Sequence, residues 1–234
     1  QPDALASVAT GSLLEGAALL KFTSGSTGEP KGIVLGPDAV QAEARNILET
    51  LELTPEDRIL ASVPLFHSYG FDLGVLASLF SGAELVVQDF FVPTRIASDL
   101  TREQISVFLG VPNLYRLWLE SIPASATPIS GLRYLLSCTA PLDPQMTLAF
   151  HERFRMPICQ HYGSSETGAV TNQVPGEVVS RRAWIGVPMK NVIVRICNSD
   201  GSLAAPGEEG ELVVESRATA RGYLMGAPEQ KQPF

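Results

Sequence analysis

Ala17-Ala18-Leu19-Leu20-Lys21-Phe22-Thr23-Ser24-Gly25-Ser26-Thr27-Gly28-Glu29-Pro30-Lys31-Gly32-Ile33-Val34-Leu35 is a polar, glycine-rich turn held between two short apolar runs. The runs, 17–22 and 33–35, have the length and the glycine punctuation of buried strands. Between them, hydroxyl side chains sit beside Gly25 and Gly28, which permit close backbone approach and positive φ. A loop of this kind turns successive N–H groups toward one point and makes a concave anion site. Lys31 adds a point charge suited to a phosphate. The loop is not a Walker A motif, because Gly32 follows Lys31 where that motif has Ser or Thr, and it is not a G-x-G-x-x-G fingerprint. A plain polar surface turn accounts less well for this composition between two apolar strands.

Outward from the loop, Asp38 reads as the cap of a helix through 51, with Val40, Ala44, Ile47, Leu48 and Leu51 on one face. From 58 the chain alternates: strands over 59–63, 84–87, 107–111, 132–137 and 158–162, helices over 73–80, 93–102, 113–120 and 144–154. Alternation with short loops predicts an α/β fold, a doubly wound, mostly parallel sheet. The texture changes near Gln173. Strands at 185–188, 192–196 and 211–215, separated by Asn198-Ser199-Asp200-Gly201 and Pro206-Gly207-Glu208, read as a β meander without helices.

Composition narrows the function. The 234 residues are 45% hydrophobic and 18% charged, enough to bury a substantial core and too apolar for disorder. The net charge is −8, from 17 Lys+Arg against 25 Asp+Glu without a basic run, so no nucleic-acid partner is expected. Cys138, Cys159 and Cys197 show neither zinc nor disulfide spacing, which predicts a reducing cytoplasm. No apolar stretch approaches the ~20 residues of a membrane span. The start, Gln1-Pro2-Asp3, lacks an initiator Met and suggests a chain that begins inside something larger.

A second chemical segment, Gln160-His161-Tyr162-Gly163-Ser164-Ser165-Glu166-Thr167-Gly168, falls at the end of an expected strand, where open α/β sheets bind ligands. Tyr162 suits stacking on a base, Ser165 a phosphate oxygen and Glu166 a Mg²⁺ ion. The plain alternative is a strand end followed by a helix cap. A serine-hydrolase elbow is disfavoured, because no ordered Asp and His follow downstream.

Together these residues resemble the adenylate-forming superfamily of acyl- and aryl-CoA synthetases, luciferases and amino-acid adenylation domains. Thr23 to Gly32 is similar to that family's phosphate loop, and Tyr162-Gly163-Ser164-Ser165-Glu166 to its Y-G-x-T-E motif with Ser165 for Thr. Ser137-Cys138-Thr139-Ala140-Pro141-Leu142 resembles the stretch that packs on adenine. Gly210-Glu211-Leu212 through Ala220-Arg221-Gly222-Tyr223 is similar to the G-E-L…A-R-G-Y segment of the family's small β-barrel. The resemblance implies that a carboxylate attacks the α-phosphate of Mg·ATP, and that the acyl group passes from acyl-adenylate to a thiol, coenzyme A or a carrier phosphopantetheine. Thr23, Ser24, Gly25, Ser26, Thr27, Gly28, Lys31 and Ser165 would meet the phosphates, and Glu166 with Thr23 would orient Mg²⁺. Thr139, Ala140, Pro141, His161, Tyr162 and Gly163 would hold adenine. It further implies a division into 1–55 with the phosphate loop, 56–175 with the nucleotide and acyl pocket, and 184–226 as a β-barrel-like unit.

Pro64-Leu65-Phe66-His67-Ser68-Tyr69-Gly70-Phe71 resembles the family's aromatic segment beside the acyl pocket, which would place His67 at the access of the substrate carboxylate. The implied pocket comprises His67, Phe71, Val111, Leu114 and Thr139, apolar enough for a fatty or an aryl acid. Phe71-Asp72 imitates amino-acid adenylation domains, but Ser81-Gly82-Ala83 follows too soon, so Asp72 reads as a helix N-cap. Cys138 and Cys159 read as buried packing residues, His151 and Arg181-Arg182 as surface. The chain ends short of the family's R-T-G-D segment, hinge and mobile C-terminal domain with its catalytic Lys. The expectation is therefore an acid–thiol ligase whose isolated slice, with apolar surface exposed, turns over weakly or not at all. The partners implied are a small carboxylic acid, an acyl carrier protein as a possible acceptor, and the parent's C-terminal domain. The rival readings are a nucleotide-binding or interaction module without turnover, and amino-acid adenylation.

Overall fold

The computed structural model describes residues 13–24, 30–88, 92–122, 131–176 and 184–224. Strands β1 (Leu19–Ser24) and β2 (Pro30–Leu35) form an antiparallel pair whose register sets Thr23 opposite Lys31. Helix α1 (Pro37–Leu51) starts two residues earlier than the cap reading, because Pro37 with its preset φ takes the first turn and Gly36 is the N-cap. Asp38 then sits in that first turn, where a carboxylate suits the helix dipole.

The alternating middle builds one sheet of seven strands in the order β4-β3-β5-β6-β7-β8-β9. Its strands are β3 (Arg58–Ala61), β4 (Glu84–Val87), β5 (Val107–Gly110), β6 (Tyr134–Ser137), β7 (Ile158–Ser164), β8 (Gly168–Asn172) and β9 (Val187–Pro188). The first five are mutually parallel, while β8 and β9 add antiparallel to the β7 edge, so the sheet is mixed. Its helices are α2, a continuous run that is α-helical over Ser68–Gly70, π-helical over Phe71–Leu76 and α-helical over Ala77–Ser81, then α3 (Pro93–Arg102), α4 (Pro112–Ser121) and α5 (Pro144–Phe154).

Strand periodicity sorts side chains onto two faces. Ile59, Ala61, Val107, Leu109, Leu136 and Cys159 pack with Ile47 and Leu51 of α1 and with Tyr69, Leu73 and Ala77 of α2. Leu60, Phe108, Leu135 and Ile158 point the other way, against Ile96, Leu100, Tyr115, Trp118, Phe150 and Phe154 of α3, α4 and α5. Covered on both faces, such strands read as continuous apolar runs.

The C-terminal part differs from the barrel-like expectation. Among the described residues, β10 (Ile193–Cys197) and β11 (Glu211–Glu215) form a two-stranded antiparallel ribbon, with Cys197 also bridged to Leu203. The other strands join neighbouring sheets: β9 extends the large sheet, and β12 (Gly222–Tyr223) returns to pair with β2 in a three-stranded sheet. No closed barrel forms among them. No helix of the described residues is long and apolar enough to cross a membrane.

Candidate active site

A cavity of about 570 Å³ opens at the carboxyl ends of the parallel strands. Val63 and Pro64 follow β3, Val111 follows β5, Cys138 and Thr139 follow β6, and Ser164 and Ser165 lie at the end of β7; all of them line it. This is where the connections of an open α/β sheet diverge and leave a crevice. α2 closes one wall with His67, Ser68, Tyr69 and Asp72, and α1 contributes Glu43.

Beside Ser165, side chains from separate elements converge; Ser68 and Ser165 line the cavity, whereas Lys31, Glu166 and Tyr223 are not among its lining residues. The Ser68 and Ser165 hydroxyls lie 2.7 Å apart. The Tyr223 hydroxyl donates to Glu166 Oε1 at 2.8 Å, and the Glu166 carbonyl accepts from the Ala220 N–H at 2.7 Å. Lys31 Nζ sits 5.3 Å from the centre of the Tyr223 ring. Burial, the bond to Glu166 and the charge of that carboxylate push the Tyr223 phenol up to about 12, so it keeps its proton and remains a donor. The end of the hairpin, the β7–β8 turn and β12 deliver a lysine, a carboxylate and a phenol to one place.

Of the phosphate-loop residues, Gly25, Ser26, Thr27 and Gly28 lie outside the described residues, and Ser24 enters only as the last residue of β1. Thr23 and Lys31 face each other across the hairpin. The turn after Ser164 does not start a helix, contrary to the helix-cap alternative; it leads into antiparallel β8, with the Ser164 and Thr167 hydroxyls 2.9 Å apart. For a cation, the described residues hold no group of three or more His, Cys, Asp or Glu placed as a ligand set. One carboxylate, Glu166, fits instead a Mg²⁺ that takes its remaining ligands from phosphates and water.

The residues expected at adenine divide. Thr139, in the left-handed region at φ 76°, Ala140 and Pro141 form an exposed loop after β6, and Tyr162 is 38% exposed on β7. Gly163 lines the cavity. His161 also lines it but is buried, its ring 6.0 Å from that of Tyr69 and Nδ1 3.3 Å from Asn172 Oδ1. Burial drives its pKa down to about 4, against the Asn172 hydrogen bond, so the ring is neutral at pH 7. Of the acyl residues, His67, Val111 and Thr139 line the cavity, whereas Phe71 and Leu114 are not among its lining residues. His67 is the exposed N-cap residue of α2 and packs on Phe66 with ring centres 4.5 Å apart.

Asp72 is not a helix N-cap. It lies inside the π-helical turn, 4% exposed, and Lys21 Nζ donates to its two carboxylate oxygens at 2.8 and 2.6 Å. It does line the cavity, but its charge is engaged by Lys21. Cys159 is a buried packing residue whose thiol burial pushes up to about 12; Cys138 is half-buried and lines the cavity. His151 is half-buried on α5, and Arg181 and Arg182 lie outside the described residues.

Sequence reasoning missed Lys21, Glu43 and Ser68. Glu43 is 2% exposed; its Oε1 accepts from the Ala169 N–H at 2.8 Å, and its Oε2 is buried without a hydrogen-bond partner. Burial first and the Asp72 charge second push its pKa up to about 8, against the Ala169 bond and Lys21. A signal existed: Ala39, Glu43 and Ile47 share one helix face at four-residue spacing, so a carboxylate sits on an apolar stripe.

The model of the AMP-binding enzyme family matches residues 11–224. A feruloyl-CoA synthase of Amycolatopsis is 30% identical over 223 residues, covering 92% of this chain and 44% of that protein. A sulfoacetate–CoA ligase of Cupriavidus necator is 31% identical over 218 residues, covering 93% of this chain and 42% of that one. Among solved structures, the amide bond synthetase McbA of Marinactinospora thermotolerans superposes with a TM-score of 0.83 at 29% identity, over 93% of this chain and 44% of its own. The chain thus spans less than half the length of the curated relatives it matches.

Proposed function

Because the chain belongs to the AMP-binding enzyme family, we propose that it carries the nucleotide and acid sites of an acid–thiol ligase. In the reaction, a carboxylate oxygen of the acid attacks the α-phosphorus of ATP, the bond to pyrophosphate breaks, and an acyl-adenylate forms. The sulfur of coenzyme A, or of a carrier protein's phosphopantetheine, then attacks the acyl carbon and AMP leaves. The observation that carries this reading is the convergence of Lys31, Tyr223 and Glu166, the last of them next in the chain to Ser165, which with Ser68 lines a cavity at the strand ends.

Both reacting partners are anionic, so the work of such a site is charge neutralisation and alignment. Lys31, with Thr23 and the glycine turn, would neutralise the β- and γ-phosphates, and Ser165 would donate to the α-phosphate. Glu166 would hold Mg²⁺, which supplies charge neutralisation between the phosphates, and Tyr223 fixes the orientation of that carboxylate. Thr139 to Pro141, Tyr162 and Gly163 would flank adenine, and neutral His161 would support that wall from inside. His67, at the mouth, would border the incoming carboxylate, and Val111 and Leu73 offer the apolar wall along which a small acid lies. The named relatives act on acids as different as ferulate and sulfoacetate, so they support the reaction class and leave the choice of acid to the cavity. Unpaired cysteines accord with a cytoplasmic enzyme.

Calorimetric titration with Mg·ATP tests the nucleotide site: binding weakened by Lys31→Ala and by Glu166→Gln is expected, and no binding, or equal binding by all three proteins, contradicts it. ATP–pyrophosphate exchange across a panel of fatty, aryl and amino acids, by the full polypeptide that carries this chain, tests the reaction. Exchange with amino acids alone would favour the adenylation-domain alternative.

A further inference from the structure

The inner end of the cavity holds chemistry that carboxylate activation does not use. Lys21 from β1, Asp72 from α2 and Glu43 from α1 meet there, all of them buried. The ammonium of Lys21 is bonded to both oxygens of Asp72, and among the described residues no cation is paired with Glu43. Glu43 Oε1 accepts the Ala169 N–H and must be the acceptor oxygen of the group. A proton on this carboxyl therefore sits on Oε2, and Oε2 is buried without a partner although Glu43 lines the cavity. The site is built around that oxygen: Gly168, at φ 73°, lies against it, and a Cβ there would overlap Glu43 Oε2. The anionic neighbour Asp72 and the dry surroundings favour the protonated form, consistent with the raised pKa of Glu43.

We infer that Glu43 determines specificity by donating a hydrogen bond from Oε2 to a neutral oxygen, hydroxyl, ether or keto, carried by the acid at the end remote from its reacting carboxylate. This rests on the reading that the cavity holds the acid. A buried donor without an acceptor is costly, and a ligand oxygen that reaches it removes the cost. A methyl group in the same place leaves the donor unpaired, which is how polar pockets reject hydrocarbon isosteres. An ammonium group meets a donor as well, and pairs with Glu43 only if the carboxyl first gives up its proton. Lys21 acts as a positioning residue, holding Asp72 in place.

The test is calorimetric binding of acids on one aryl framework that carry hydrogen, methyl, hydroxyl, methoxy or ammonium at the remote position. Wild type is expected to bind the hydroxyl and methoxy acids about tenfold more tightly than the methyl one. Glu43→Gln, whose amide N–H donates from the same place, is expected to keep that preference, and Glu43→Leu to abolish it. The infrared carbonyl band of a protonated carboxyl is expected in wild type at pH 7, absent from Glu43→Gln, and shifted when the hydroxyl acid binds. If Glu43→Leu fails to fold, the wild-type series and this band decide. Binding without preference, tighter binding of the ammonium acid, a preference that survives Glu43→Leu, or a band that is missing or unmoved overturns the inference and leaves the acid cavity standing. No binding of any acid overturns the acid cavity and the inference with it.

Discussion

Glu43 and His161 are buried titratable groups whose burial acts in opposite directions on stability. Glu43 binds its proton more tightly in the native state, with its pKa raised from 4.5 to about 8. Its contribution is complete below about pH 4.5 and is lost as pH rises to about 8. His161 is the reverse: its pKa is lowered from 6.5 to about 4, so its contribution is present above pH 6.5 and lost as pH falls toward 4. Urea unfolding of Glu43→Gln at a series of pH values should therefore give a flatter stability profile than wild type between pH 6.5 and pH 8, where His161 no longer titrates, and an unchanged slope would mean that Glu43 is ionised in the fold. Tyr223→Phe removes the 2.8 Å bond to Glu166 and should weaken Mg·ATP binding by about tenfold while leaving the melting temperature nearly unchanged. At this scale the sequence was only partly legible. Lys31, Ser165 and Glu166 announce themselves by residue type in glycine-rich segments. Lys21 and Asp72 find each other across 51 positions, and no local pattern carries such a pairing.

Among the elements, α2 does the most to shape the cavity, and it was the least legible. The apolar spacing predicted a helix from 73, yet the run begins at Ser68, because Phe66 and His67 lead into it without a strong cap and a π-helical turn shifts its phase. Asp72 lies within that π-helical turn, buried and on the cavity wall. Gly70 fixes the approach of α2 to the strand-end loop, since a Cβ there would overlap the Pro64 carbonyl. Gly70→Ala should therefore cost about 2 kcal/mol or more in urea unfolding and loosen acid binding, and a stability equal to wild type would show that the loop yields freely. The parallel strands were legible because both their faces are covered and they read as unbroken apolar runs. β12 was not, being a two-residue segment whose partner β2 lies far away in sequence, and β8 was not, because the segment after Ser164 reads equally well as a helix cap.

On the scale of the molecule, the Lys21–Asp72 pair ties the three-stranded sheet to the helix layer of the seven-stranded one. Removing one partner leaves a buried charge alone, and Lys21→Met should cost about 3 kcal/mol or more. Lys21→Met combined with Asp72→Leu should cost less than Lys21→Met alone, as read by a double-mutant cycle in urea; additive losses would show that the two charges are independent. The β12–β2 pairing has a consequence for synthesis. Gly222 and Tyr223 close onto Val34 and Ile33, so the Glu166–Tyr223–Lys31 cluster joins the two extremes of the described chain. A nascent polypeptide can dock its parallel strands as they emerge, because each pairs with a near neighbour in sequence, but it cannot bring Glu166, Tyr223 and Lys31 together until Tyr223 has cleared the ribosome. A chain released before that point would own the sheet without the cluster beside it.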